Sequence, residues 1–378
     1  MTEENKSVKK FPNSGNIPKL RFSEFTEEWE VKKLGEICKM QAGKFVSASE
    51  ILKETDDKLY PCYGANGLRG FTYSYNYEGE YSLIGRQGAL CGNVTRVNDK
   101  FYATEHAVVV TPKDNVHSVW LFYLLNYLNL NQYATGMAQP GLSVHNLLEV
   151  ESIMTNSIDE QNKTASLLTL IDTRILTQRK IISQLKSQMS NLKDLIFEQK
   201  LRFTDDKENE FPDWQESKLE DICEKQSSSI SANKIEDNIG DYPIYGATGI
   251  LKNIDFYEVE NDYISIIKDG AGVGRLLYCE GKSSVLGTLD IIQSKNVKLY
   301  FIFLLLSRID FKKYITGSTI PHIYFKDYKK EKFQIPSIEE QEKITNFFKS
   351  LDDKINLEND LLIQFENQKK YLLQNLFV

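Results

Sequence analysis

Tyr60-Pro61-Cys62-Tyr63-Gly64-Ala65-Asn66-Gly67 is written again, with two changes, as Tyr242-Pro243-Ile244-Tyr245-Gly246-Ala247-Thr248-Gly249. Outward from this stretch the correspondence continues in both directions. Upstream, Lys19-Leu20-Arg21-Phe22 returns as Lys200-Leu201-Arg202-Phe203, and Trp29, Leu34, Ile37 and Cys38 return as Trp214, Leu219, Ile222 and Cys223. Downstream, Arg86-x-Gly88-x-x-x-Gly92 becomes Lys268-x-Gly270-x-x-x-Gly274, and Tyr133-x-Thr135-Gly136 with Pro140 becomes Tyr314-x-Thr316-Gly317 with Pro321. Ser157-Ile158-x-Glu160-Gln161 becomes Ser337-Ile338-x-Glu340-Gln341. The offsets stay between 180 and 185 residues, so the chain is two copies of one unit.

Each copy opens with short β-type runs between turn residues: Tyr81–Ile84, Ala107–Thr111, Tyr263–Ile267 and Ser284–Ile292. Helical patches follow at Val119–Leu128 and Leu299–Ser307. Each copy closes with a long helix. Leu168, Ile171, Ile175, Gln178, Ile182, Leu185, Met189, Leu192 and Ile196 alternate three and four apart, a heptad seam. Phe348, Leu351, Ile355, Glu358, Leu362, Phe365, Lys369, Leu372 and Leu376 repeat the register. Ser157 with Glu160, and Ser337 with Glu340, read as capping boxes. Each apolar stripe needs a long partner, and the other copy supplies one. Gln178 and Glu358 are equivalent mid-seam polar positions. They would meet in parallel or antiparallel pairing, so they leave the direction open.

The 378 residues suit two domains, and no apolar run reaches membrane-spanning length. Five cysteines, none in a C-x-x-C pair, read as reduced, buried thiols of a cytoplasmic protein. Four histidines without cysteine neighbours make no zinc site. Net charge is −7; Lys19–Glu149 holds 13 basic and 15 acidic residues, Pro212–Lys332 holds 16 and 18. Phosphate contacts need Lys and Arg, so a nucleic-acid role for so balanced a chain requires a partner to share the grip.

Catalytic motifs are missing. Gly281-Lys282-Ser283 ends like a phosphate loop, but Leu276 stands where its first glycine belongs. No Asn-Pro-Pro-aromatic or Asp-Pro-Pro-aromatic run is present for adenine methyl transfer. Glu280-x-Lys282 lacks the upstream Pro-Asp of a nuclease metal motif. The glycines at 64, 67, 246 and 249 read as turn formers, and Trp29 and Trp214 as core anchors.

Taken twice over nearly the whole chain, the order Leu-Arg-Phe, Trp, Tyr-Gly-x-x-Gly, Arg-x-Gly, Thr-Gly and Glu-Gln, then heptads, resembles the specificity subunit of Type I restriction–modification systems. The resemblance implies an α/β (α+β) fold with two mixed, strand-rich target recognition domains. Two long helices forming an antiparallel coiled coil would join them. It implies that each domain reads one half of a split site in double-stranded DNA and that coiled-coil length sets the gap. The chain would be non-catalytic and carry no cofactor. S-adenosylmethionine would serve modification subunits, and ATP and Mg2+ motor-nuclease restriction subunits. The expected divisions are a disordered leader at 1–18, recognition domains at 19–156 and 200–336, and spacer helices at 157–199 and 337–378. Lys268 for Arg86, and Ile320-Pro321-His322 for Gln139-Pro140-Gly141, depart between the copies, so the two half-sites would differ.

Base contacts need polar side chains on groove-facing loops. The candidates are Tyr63, Asn66, Arg69, Arg86, Gln87 and Gln139 in the first copy, and Tyr245, Thr248, Lys252, Lys268, Arg275 and Ser318 in the second. Two other readings compete. A coiled-coil scaffold with peptide-binding modules would lack DNA affinity even beside a partner, and a stand-alone nuclease would cleave DNA with Mg2+ alone.

Overall fold

A computed structural model of the chain describes residues 15–88, 90–136 and 140–378. Contacts divide it into two compact units, Met1–Lys180 with Asp360–Val378, and Ile181–Asn359. Each unit therefore holds one strand-rich module, part of that module's own long helix and part of the other copy's helix.

In the first unit, Cys38–Ala42, Ala107–Pro112, Tyr81–Gly85 and Val94–Val97 lie side by side in that order as an antiparallel sheet. A second sheet places Tyr60–Gly64 between its hairpin partner Gly67–Thr72 and the parallel strand Lys100–Ala103. Glu30–Lys33 pairs antiparallel with Glu151–Met154, which closes the module where its helix begins. The second unit repeats this plan. Cys223–Ser227, Leu289–Ser294, Tyr263–Ile267 and Leu276–Cys279 form its main sheet, and Tyr242–Gly246 lies between Gly249–Ile254 and Ser284–Val285. The run Ser284–Ile292, expected as one strand, is two strands of different sheets. At the break, the Gly287 N–H donates to Ile230 O and the Leu286 N–H to Tyr245 O.

The helix α1, Ser118–Tyr127, is apolar nearly all round because both faces are covered, and Trp120, Leu121, Leu124 and Leu125 are fully buried. The long helix α2 runs Ile158–Phe197; α3, Leu299–Leu306, repeats α1; and α4 runs Ile338–Leu376. Every seam position named above is buried or half-buried, whereas Leu170, Leu176, Leu357 and Ile363, off the seam, are exposed. Gln178 is buried, and Glu358 pairs with Lys354 one turn back at 3.0 Å. Direction, left open by the sequence, is decided within the first unit. Asp172 pairs with Lys369 and Arg179 with Glu366, each at 2.6 Å, so one helix ascends as the other descends. In the second unit Met189, Leu192 and Ile196 join Ile344, Phe348 and Leu351 in one core.

The expected capping boxes form only in half. Ser157 Oγ accepts from the Glu160 N–H and Ser337 Oγ from the Glu340 N–H, each at 3.3 Å. The carboxylates do not turn back to the cap. Glu160 accepts from both Arg21 Nε (2.7 Å) and Arg21 Nη2 (3.0 Å), and from Trp29 Nε1 (3.3 Å). Glu340 takes Arg202 and, at 2.9 Å, Trp214 Nε1 in the same way. A buried carboxylate is better served by a bidentate guanidinium than by one backbone N–H. The next residue locks the other side: Gln161 accepts from the His117 N–H at 2.8 Å and Gln341 from the Lys298 N–H at 2.9 Å. Thus Leu-Arg-Phe, Trp and Glu-Gln, far apart in sequence, are the joint between each module and its long helix.

Of the expected leader at 1–18, residues 15–18 are described. Asn16 O accepts from the Trp29 N–H at 2.9 Å and Pro18 is buried, so these residues belong to the fold; residues 1–14 lie outside the described ones. Trp29 and Trp214 are core residues as expected, and all five cysteines are buried and free. Burial pushes the Cys38 and Cys223 thiols up to about 12, which leaves them protonated and unreactive.

Candidate nucleic-acid interface

The repeated glycines and Thr-Gly…Pro stretches form two loops bonded to each other. In the first unit the Gly88 N–H donates to Pro140 O (3.0 Å), the Leu142 N–H to Arg86 O (2.9 Å), and Thr135 and Gly141 exchange bonds of 2.9 Å. In the second the Gly270 N–H donates to Pro321 O, the Ile323 N–H to Lys268 O, and Thr316 and His322 exchange bonds, all at 2.9 Å. Gly92 and Gly274 have φ of +89° and +84°. A Cβ on Gly92 would lie 2.3 Å from the Asn131 nitrogen, so glycine is required there. The quoted hairpin approaches the same loops: a Cβ on Gly85 would lie 2.1 Å from Ala65 O. The laced loops are thus built alike in both copies from backbone bonds and carry different side chains, and in the first copy the hairpin tip packs against them.

The structure sorts the candidate residues. Asn66, Arg69 and Gln87 are exposed on this cluster, as are Thr248, Arg275 and Ser318 in the second unit. Arg275 Nη1 donates to Ala247 O at 3.1 Å, bridging loop and hairpin tip. Arg86 is half-buried and its Nε donates to Leu142 O at 3.2 Å, which leaves the rest of the guanidinium for a ligand. Three candidates are committed elsewhere. Tyr245 is a core residue, Tyr63 packs edge-on against Phe101, and Lys252 Nζ donates to the carbonyls of Ile235 (2.8 Å) and Glu236 (2.9 Å). Tyr63 and Tyr245 stand beside the hairpin glycines in sequence, yet the strand pleat turns both inward. Lys268 is drawn to Asp290 at 3.1 Å. Gln139 lies outside the described residues.

Other polar residues of the cluster escaped the sequence. Asn93, Thr95, Asn126 and Asn129 share with Asn66 a small cavity of about 240 Å³. In the second unit a cavity of about 770 Å³ is lined by Lys225, Lys268, Asp290, Lys295, Tyr324 and Lys326, among others. Asp290 had a signal: a carboxylate in the otherwise apolar start of Leu289–Ser294, where the first copy has Val108. Among the described residues no group of three or more His, Cys, Asp or Glu is arranged to hold a metal ion, and no helix is long and apolar enough to cross a membrane.

A fold that presents the same backbone frame twice, with different polar side chains, defines a two-module recognition protein. The chain belongs to the family of type I restriction modification DNA specificity domains, whose sequence model matches residues 26–187 and 212–367. It is 47% identical over 155 residues to the specificity subunit of the type I restriction enzyme EcoprrI of Escherichia coli, a match covering 41% of this chain and 38% of that one. Over 90% of this chain and 89% of the other it is 23% identical to the specificity subunit of the enzyme MjaIX of Methanocaldococcus jannaschii. Its fold is similar to the crystal structure of the S subunit of a type I restriction-modification system from M. genitalium. The TM-score is 0.70 at 18% identity, covering 96% of this chain and 99% of that one.

Proposed function

We propose that this chain is the sequence-reading subunit of a type I restriction–modification complex: each module reads one half of a split site in double-stranded DNA. The observation that carries this is the laced loop cluster, whose frame is the same in both copies while its exposed side chains differ. Phosphate contacts position a protein and base contacts specify, so a fixed frame with variable tips suits base reading. Asn66, Arg69, Arg86 and Gln87 are the readers proposed in the first module, with Gln139 kept on sequence grounds. Thr248, Lys268, Arg275 and Ser318 are those of the second. Near-neutral modules supply little phosphate grip, so modification subunits share it, and the exposed Leu170, Leu176, Leu357 and Ile363 offer apolar contacts for such partners. Bond chemistry is delegated: modification subunits use S-adenosylmethionine, and restriction subunits use ATP and Mg2+. The complex works in the cytoplasm, which suits five free thiols.

The test is reconstitution. The chain alone should bind DNA weakly and methylate nothing. With its modification subunit and S-adenosylmethionine it should direct adenine methylation in a split site. Replacing Lys19–Glu149 by the corresponding module of another such subunit should change one half of that site. Methylation by the unaided chain, or a swap that alters both halves, would overturn the proposal.

A further inference from the structure

Asp290 sits at 3% exposure in the main sheet of the second module, where an isolated carboxylate would be costly. Its Oδ1 accepts from Ser227 Oγ at 2.9 Å and from Lys268 Nζ at 3.1 Å, and Lys225 Nζ stands 3.6 Å away. Strand register gives the matching positions of the first module. Ser227 and Ile266 lie opposite Asp290 on its two sides, as Ala42 and Ile84 lie opposite Val108. Lys225, Ser227 and Asp290 thus stand where the first module has Met40, Ala42 and Val108, and Lys268 where it has Arg86. The first module covers this area of sheet with apolar side chains, and among the described residues its loop cation has no acidic partner within salt-bridge distance. The second has replaced three positions on two neighbouring strands together. Over the cluster opens the cavity of about 770 Å³, walled by Tyr324 and Lys326, and it adjoins the laced loops through Lys268. The nearby Tyr328 hydroxyl is buried with no hydrogen-bond partner among the described residues, so this corner is polar beyond what the fold uses.

We infer that Asp290 is a positioning residue that sets which base the second module accepts, acting through Lys225 and Lys268. The inference rests on the DNA-reading proposal. In the major groove adenine and cytosine present an amino donor, whereas guanine and thymine present a keto acceptor. Lysines alone favour keto bases. A carboxylate bonded to Lys268 takes up one of its donors, offsets the charge of both lysines and adds an acceptor's field, which shifts the preference toward amino bases and away from keto ones. Arg86, with donors only, has the opposite preference, so the two modules differ in chemistry at one matching place.

The experiment sequences modified adenines in DNA from cells expressing the chain with its modification subunit, the module swap having shown which half-site belongs to which module. Asp290→Asn should leave the first module's half unchanged. In the other half, one position reading adenine or cytosine should become tolerant of guanine or thymine, with at least tenfold more modification of such sites. Asp290→Glu should restore the original motif. The triple change Lys225→Met, Ser227→Ala and Asp290→Val, which installs the first module's apolar set, should relax the same position while thermal denaturation shows a folded chain. An unchanged motif in Asp290→Asn overturns the inference. So does a uniform loss of modification, motif intact, that Asp290→Glu fails to repair. An unmodified chain whose complex marks no split site refutes the DNA-reading proposal itself, before any variant is made.

Discussion

Glu160 and Glu340 show how one side chain can hold a module to its helix. Each takes a guanidinium and an indole N–H from residues more than a hundred positions away, and each is nearly inaccessible to solvent. Removing one partner of such a pair strands the other, so Glu340→Ala should destabilise the second unit by about 3 kcal/mol in urea unfolding, and Glu160→Ala the first by a similar amount. A loss under about 0.5 kcal/mol in both would mean that solvent replaces the pair without penalty. Sequence alone pointed these carboxylates at their own helix caps, because Ser-x-x-Glu is a local pattern and the competing arginine is a distant one. The same limit applies to Tyr63 and Tyr245. Their place beside the hairpin glycines made them candidates for base contact, and only strand pairing reveals which way they face.

At the scale of elements, the helices were legible because the heptad pattern is one-dimensional: burial follows it at every named position. Their antiparallel direction was not in the pattern, since equivalent polar residues coincide either way. It came instead from Asp172–Lys369 and Arg179–Glu366. The strands were legible where apolar runs ended at turn residues, but the run Ser284–Ile292 is two strands, parted at Leu286-Gly287-Thr288. Since the helix ends are docked into module cores, the sensitive place for altering reach is mid-helix. Seven residues inserted after Lys180 and seven after Asn359 keep the seam in register and add about 10 Å of helix. At about 3.4 Å per base pair, the gap between half-sites should grow by about three positions while both halves keep their sequence. The methylated motif reads this directly; an unchanged gap with full activity would show that something other than the helices sets it.

For the whole molecule, duplication was the feature most plainly written, and it carried the architecture into view before any contact was known. The candidate interface was only half visible, because its frame is backbone and Asp290, inferred above to be a positioning residue, lies in a strand. Duplication also has a consequence for connectivity. The Leu201 N–H donates to Leu195 O at 3.1 Å across the covalent turn that leads from the first long helix into the second module. At the matching place the Leu20 N–H donates to Asn375 O at 2.8 Å, between segments that no peptide bond joins. Phe377 packs on Trp29 there as Phe197 packs on Trp214. The covalent turn has one residue more, Gln199, held at φ +56°, a conformation glycine adopts freely. In its contacts, then, each unit has the same joint, covalent in one and open in the other. A chain running from Lys200 to Val378, through a single glycine, then from Lys19 to Gln199, moves the cut to the other joint and sacrifices the Asn16–Trp29 bond. It should melt within a few degrees of the original and direct methylation of the same site; a permuted chain that stays unfolded would show that the two joints, alike in their bonds, are not interchangeable.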